Sequence, residues 1–188
     1  MLLPYPIEAI LFDLDGTILD TANDLGEALN YILAKYRFPL VARENYRPVA
    51  SDGALGLLTL GFGDKLSSYN YEELRSEFLD YYTKNIAVHT CLYEGISELI
   101  SYIEQQNIPW GIVTNKPEGL TKKLLPHFSE LAKCSVMVAG DTLPERKPHP
   151  APMFHACKQI AVAPENCVYI GDAPRDIDAG NNANMFTI

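Results

Sequence analysis

Residues 8–20 read EAILFDLDGTILD. Residues 8–12, an apolar run after Glu8, read as a short buried strand. Pro6 bounds it on one side and an Asp-Gly step on the other, and both residue types interrupt strands. The strand ends on Asp13 and Asp15, one residue apart, with Gly16 and Thr17 immediately behind. In open parallel sheets, ligands bind beyond the carboxyl ends of the strands, which is where these two carboxyl groups fall.

Downstream, Thr21 followed three residues later by Asp24 resembles a capping box. Leu25, Ala28, Leu29, Ile32 and Leu33 then lie on one face of a helix expected to end near Phe38-Pro39. A looser stretch follows, with turn chemistry at VASDGALG and LGFGDK. A second long helix is expected from about Tyr71 to Ala87, with Leu74, Phe78, Tyr81 and Tyr82 on one side.

From Leu92 the pattern alternates between helix and strand. Ile96, Leu99, Ile100 and Ile103 form a helical stripe; PWGIVT, CSVMVAG, NCVYIGD and NMFTI read as strands, with EGLTKKLLPHF and PAPMFHACKQI as helices between them. Such alternation implies a parallel, doubly wound sheet with helices on both faces. Between the strand ending at Asp13 and the strand ending at Thr114 lie roughly ninety residues, where a crossover needs only a dozen or so plus loops. The surplus predicts a helical cap domain at residues 19–89, inserted into a core formed by residues 1–18 and 90–188.

With 188 residues, 47% hydrophobic and 21% charged, the chain has the composition of a globular protein. Its net charge of −9 disfavours a nucleic-acid partner, because backbone phosphates are held by Lys and Arg. The opening MLLPYPIEAILF lacks a basic leader region and is broken by prolines, and no stretch is long enough to span a bilayer. The four cysteines are widely spaced without C-x-x-C and are expected to be buried, reduced thiols. Those features predict a cytoplasmic protein with no membrane partner; a monomer or homodimer is expected, a state these features do not themselves determine.

Four short motifs fall at or beyond predicted strand ends: FDLDGT, VTNK, ERKPHP and IGDAPRDID. A solvated turn, a helix cap, an exposed loop lysine and an acidic helix start would each account for one of them. An EF-hand does not account for FDLDGT, since that loop needs glycine at its sixth position and sits between helices. Together, at one rim, the four motifs suit phosphoryl transfer. Asp13 is the candidate nucleophile, a carboxylate that accepts a phosphoryl group. Asp15 is the candidate acid/base, protonating the departing alcohol and then deprotonating the hydrolytic water. Asp13, Asp172 and a phosphate dianion require a hard cation, and Mg²⁺ is the usual one beside phosphate. Its expected ligands are the Asp13 carboxylate, the Asp15 main-chain carbonyl and Asp172, with Asp176 direct or through water. Lys147 adds positive charge, while Thr114 and Asn115 donate to phosphoryl oxygens.

These residues resemble the haloacid dehalogenase-like hydrolase superfamily, whose phosphatases carry D-x-D-G-T, a strand-end Ser/Thr, a Lys and G-D-x-x-x-D. The resemblance implies a Rossmann-like, five-stranded α/β core, a helical cap after the first motif, and Mg²⁺ dependence. It also implies that Asp13 is the nucleophile, Asp15 the acid/base, Thr114 and Lys147 phosphate binders and Asp172 a metal ligand. The C-terminal third is similar to bacterial phosphoglycolate phosphatases and to N-acetylmuramic acid 6-phosphate phosphatases. The expected substrate is therefore a small phosphorylated metabolite, 2-phosphoglycolate or a sugar phosphate. Asp15 counts against a dehalogenase, which needs no leaving-group proton; a phosphomutase stays a lesser alternative. In the cap, Ser51, Asp52 and Gly53 form the candidate specificity loop. Arg43 and Arg47 are expected in surface ion pairs, and Tyr69, Tyr71, Tyr81 and Tyr82 in bundle packing. Relatives usually continue past the last strand, so a bare sheet edge or a missing C-terminal piece is expected at Ile188.

Overall fold

The computed structural model describes residues 6–188, so Met1–Tyr5 of the leader reading lie outside the described residues. β1 (Ala9–Phe12) is the central strand of a five-stranded sheet. The order is β5 (Val136–Val138), β4 (Trp110–Val113), β1, β6 (Cys167–Ile170), β7 (Phe186–Thr187), and every neighbouring pair is parallel. All four residues of β1 are buried, as are those of β4, which explains their unbroken apolar sequence. The chain moves from β1 to β4 and β5 on one side, then returns to β6 and β7 on the other. β1 and β6 therefore flank the point where the winding direction reverses, the usual location of a site.

Register fixes that rim. Phe12 pairs with Ile112 on one side and with Ile170 on the other, so the ends of β1, β4 and β6 are nearly level. The residues that follow them are Asp13, Thr114 and Asp172 within a residue or two of each end. The expected strands are thus all present, and α5 (Ile96–Gln105), α6 (Glu118–Leu124), α7 (Ala151–Ile160) and α8 (Pro174–Asn182) form the helical connections. Leu11, Val113, Val138, Met153, Ala156 and Tyr169 belong to one buried cluster of sheet and helix side chains.

The chain divides into two compact units, one reaching Leu19 and resuming at Leu92–Ile188, the other Asp20–Cys91. The second unit is helical: α1 (Ala22–Lys35), α2 (Arg43–Tyr46), α3 (Gly53–Phe62) and α4 (Tyr71–Lys84). Leu25, Ala28, Leu29, Ile32 and Leu33 are all buried on α1, as their spacing predicts. Leu74, Phe78 and Tyr82 are buried on α4, while Tyr81 stacks on Tyr31 with ring centroids 4.3 Å apart. Tyr69 packs in a cluster with Tyr36, Phe38 and Phe62. β2 (Leu19–Asp20) and β3 (Cys91–Leu92) pair as a separate two-stranded sheet.

Three expectations are corrected. The stretch after Phe38 is not loose: α2, a 3-10 turn at Arg47–Asp52, α3 and another 3-10 turn at Gly63–Ser68 follow in close succession. Ser51 and Asp52 thus end a 3-10 turn, and Gly53, at φ +66°, opens α3. Thr21 is the N-cap of α1 but makes no side-chain cap hydrogen bond. Asp24 turns elsewhere: its buried carboxylate accepts from the His89 and Thr90 amides, at 2.9 Å each, and from the Thr90 hydroxyl at 2.6 Å. Cys157 and Cys167 are buried with sulfurs 3.5 Å apart, but Cys91 is exposed. Arg47 does pair with Asp20, at 2.8 Å. No helix among the described residues is long and apolar enough to cross a membrane.

Candidate active site

The turn after β1 is built around Gly16. Its φ is +94°, a conformation L side chains rarely adopt, and a Cβ there would lie 2.3 Å from Asp172 Oδ2. Glycine thereby lets the FDLDGT turn approach the β6 loop. Thr17 Oγ1 then reaches Asp172 Oδ1 at 3.4 Å. Carboxylate oxygens of Asp13, Asp172 and Asp176 lie within 4.8 Å of one another.

Lys147 stands among them. Its Nζ is 2.8 Å from Asp13 Oδ1 and 2.6 Å from Asp176 Oδ1, and it donates to the Val113 carbonyl at 2.9 Å and the Tyr169 hydroxyl at 2.8 Å. Lys147 is 2% exposed, Asp13 3% and Asp176 0%, so this ion triad has little contact with bulk water. Four acceptors surround three N–H groups. The contact to Asp13 is an ion pair rather than an aligned hydrogen bond, which leaves Asp13 Oδ1 without a hydrogen-bond donor. Asp176 has both oxygens engaged by protein donors, Oδ2 by the Ala173 amide at 3.0 Å. Its firmest role is to hold Lys147 in place.

Burial pushes the Asp13 carboxyl up to about 6; Lys147 opposes the rise and Asp176 adds to it. The Tyr169 phenol is raised far above its ordinary range by burial and by the charges of Asp13 and Asp176, so it stays protonated.

Thr114 and Asn115 close the rim from β4. Thr114 is 4% exposed, and its hydroxyl accepts from the Lys116 amide at 3.1 Å. Asn115 forms a reciprocal pair with the Lys147 backbone, Nδ2 to its carbonyl at 2.9 Å and its amide to Oδ1 at 3.1 Å. Asn115 thus positions Lys147, across 32 residues of sequence. Asp15 is partly buried and pairs with Lys116 at 2.9 Å. Asp13, Asp15, Thr114, Asn115, Lys147, Asp172 and Asp176 therefore gather at one sheet edge; Ser51, Asp52 and Gly53 belong to the other unit. Two residues here escape sequence reasoning. Tyr169 looks like a core strand residue, and Lys116 like an incidental lysine of VTNK.

The donor set suits a hard divalent cation: the atoms are carboxylate oxygens, and an exposed carboxyl, Asp172, stands beside the buried pair. The four carboxyl groups also outnumber the nearby cations Lys116, Lys147 and Arg175, which leaves an excess negative charge at the rim.

Residues 10–188 match the haloacid dehalogenase-like hydrolases, and the chain belongs to that family. Curated relatives at 35–41% identity bear phosphatase names, and the chain is a phosphatase. A phosphoglycolate phosphatase of Xanthomonas campestris pv. campestris (strain 8004) is 41% identical over 180 residues, covering 96% of this chain and 81% of that one. An N-acetylmuramic acid 6-phosphate phosphatase of Pseudomonas aeruginosa is 38% identical over 181 residues, covering 96% and 80%. The crystal structure of a predicted phosphoglycolate phosphatase from Haemophilus somnus 129PT superposes with a TM-score of 0.86 at 27% identity, covering 96% and 84%.

Proposed function

We propose that the chain hydrolyses 2-phosphoglycolate or a similarly small phosphomonoester, with Asp13 as nucleophile and Asp15 as acid/base. One observation carries this reading: the Lys147 ammonium sits 2.8 Å from Asp13, inside a cluster that also contains Asp172 and Asp176. Asp13 attacks phosphorus, and the alcohol oxygen leaves with a proton from Asp15. Asp15 then takes a proton from water, which attacks the aspartyl-phosphate, releases phosphate and restores Asp13. Lys147 and the Thr114 hydroxyl hold phosphoryl oxygens in line, and Asn115 and Asp176 keep Lys147 in position. The Asp13 and Asp172 carboxylates with the Asp15 main-chain carbonyl would hold Mg²⁺, which offsets the negative charge of the phosphate and the rim. Asp176 would join that set directly or through water.

The similarity to the N-acetylmuramic acid 6-phosphate phosphatase of P. aeruginosa, only slightly lower, favours a sugar phosphate as the second reading. A phosphate-release screen with both esters, with Mg²⁺ and with excess EDTA, decides between them. We expect Mg²⁺-dependent release from one; equal release in EDTA contradicts the charge assignment. Replacing Ser51, Asp52 and Gly53, the segment we assign to substrate choice, should change the ranking of the two esters. An unchanged ranking removes that segment from the proposal.

The raised Asp13 carboxyl adds a pH signature. Below about 6 a proton occupies the group that Mg²⁺ needs, so binding must displace it. Calorimetric affinity for Mg²⁺ should fall as pH drops through about 6 and level off above it. Constant affinity across that range contradicts Asp13 as a ligand.

A further inference from the structure

Lys116 has no part in the reaction as derived so far, yet it is one of the most constrained lysines in the molecule. It is 7% exposed, and its Nζ lies 2.9 Å from Asp15 Oδ1. The backbone on either side of that side chain is fixed. Its amide donates to Thr114 Oγ1 at 3.1 Å, and its carbonyl accepts from the Gly140 amide at 2.9 Å. Gly140 is needed for that approach, because a Cβ there would lie 2.1 Å from the Asn115 carbonyl oxygen. Pro117 adds to the constraint by disfavouring helical backbone at Lys116. An ammonium held this way on a buried stem loses its side-chain freedom, which solvent-exposed lysines keep.

We infer that Lys116 is a positioning residue for Asp15, its Nζ on Oδ1 fixing the orientation in which the carboxyl meets the substrate oxygen. The inference rests on the reading of Asp15 as acid/base. Asp15 follows Asp13 on a turn, not within a strand, so its carboxyl needs an anchor from another element. Lys116 supplies it from the β4 loop, across 101 residues of sequence. The fold thus uses two lysines for two carboxyl groups: Lys147 on the nucleophile and Lys116 on the acid/base.

A lysine that merely bound phosphate would affect all esters equally. A lysine that positions the acid affects only those whose alcohol needs a proton to leave. The test compares kcat/KM for p-nitrophenyl phosphate, whose phenolate departs unaided, with that for the alkyl esters 2-phosphoglycolate and N-acetylmuramic acid 6-phosphate. For Lys116→Met we expect about a 10²-fold loss on the alkyl ester that is turned over, in the range of general acid catalysis. On p-nitrophenyl phosphate the loss should stay below about tenfold. Lys116→Arg, which keeps a charged donor, should recover most of the alkyl activity. A crystal structure of the Met variant should show Asp15 in more than one orientation. Equal losses on both kinds of ester, or none, overturn the proposal. Should the Met variant fail to fold, Lys116→Gln is read by the same ratio: a selective loss supports the proposal and an even loss overturns it. Asp15→Asn separates the two levels. If it too loses both esters evenly, the acid/base assignment fails; if it is selective while Lys116→Met is not, only the role of Lys116 fails.

Discussion

Asp13→Asn should abolish turnover while leaving the fold intact. The substitution keeps the shape of the side chain but removes the carboxylate proposed as the nucleophile, so a loss of about 10⁴-fold or more is expected, as when other covalent nucleophiles are removed. The fold should tolerate it. The Asp13 carboxyl is raised to about 6 because burial makes its charge costly, and a neutral amide avoids that cost. Lys147 keeps a carboxylate partner in Asp176, 2.6 Å away, so no buried ammonium is left alone. Thermal unfolding in EDTA should therefore occur at or slightly above the wild-type midpoint. A variant that unfolds early would turn the kinetic loss into a folding defect, and retained turnover would move the nucleophile elsewhere.

Lys147→Met should damage both activity and stability. Removing the ammonium leaves Asp13 and Asp176, 3% and 0% exposed, facing each other with no cation between them. Breaking a buried ion pair from one side costs about 3–5 kcal/mol. The cost depends on pH in a definite sense. Lys147 lowers the Asp13 carboxyl, so its loss raises that group further above about 6. A carboxyl raised in the folded state binds more protons there than when unfolded, so stability falls as pH rises from its ordinary value through the raised one. Denaturant unfolding in EDTA should thus show the variant closest to wild type near pH 4 and furthest from it above about pH 6. A deficit independent of pH would mean that the lysine acts through packing alone. Turnover should fall at every pH, because the phosphoryl oxygens lose their cationic partner.

Sequence made the sheet legible because strands buried on both faces have few alternatives: AILF and WGIV have no polar position at which to expose a face. Three of the four motifs were legible for a related reason, since each follows a buried strand and register then brings Asp13, Thr114 and Asp172 together. Lys147 was found despite its distance from any strand, by its place in the order of motifs. What stayed hidden depends on partners distant in sequence. Asp24 has the spacing of a helix cap, but its carboxylate serves amides 65 and 66 residues away. Asn115 is a strand-end amide in sequence and a brace for the Lys147 backbone in three dimensions. The stretch at 43–68 is rich in glycine and short of periodicity, so its brief helices and 3-10 turns carry no local signature. Tyr169 looks like any core tyrosine until its hydroxyl is seen between Lys147 and Asp176.

In the proposed mechanism the phosphoryl group passes through the side chain of Asp13, beside the Lys147 ammonium. Acid quenching during turnover of p-nitrophenyl phosphate with Mg²⁺, followed by mass spectrometry of the digested protein, tests it most directly. A phosphoryl adduct should be found on the peptide containing Asp13, and none should form in Asp13→Asn. An adduct on another residue, or unchanged turnover with no adduct at any quench time, would contradict it.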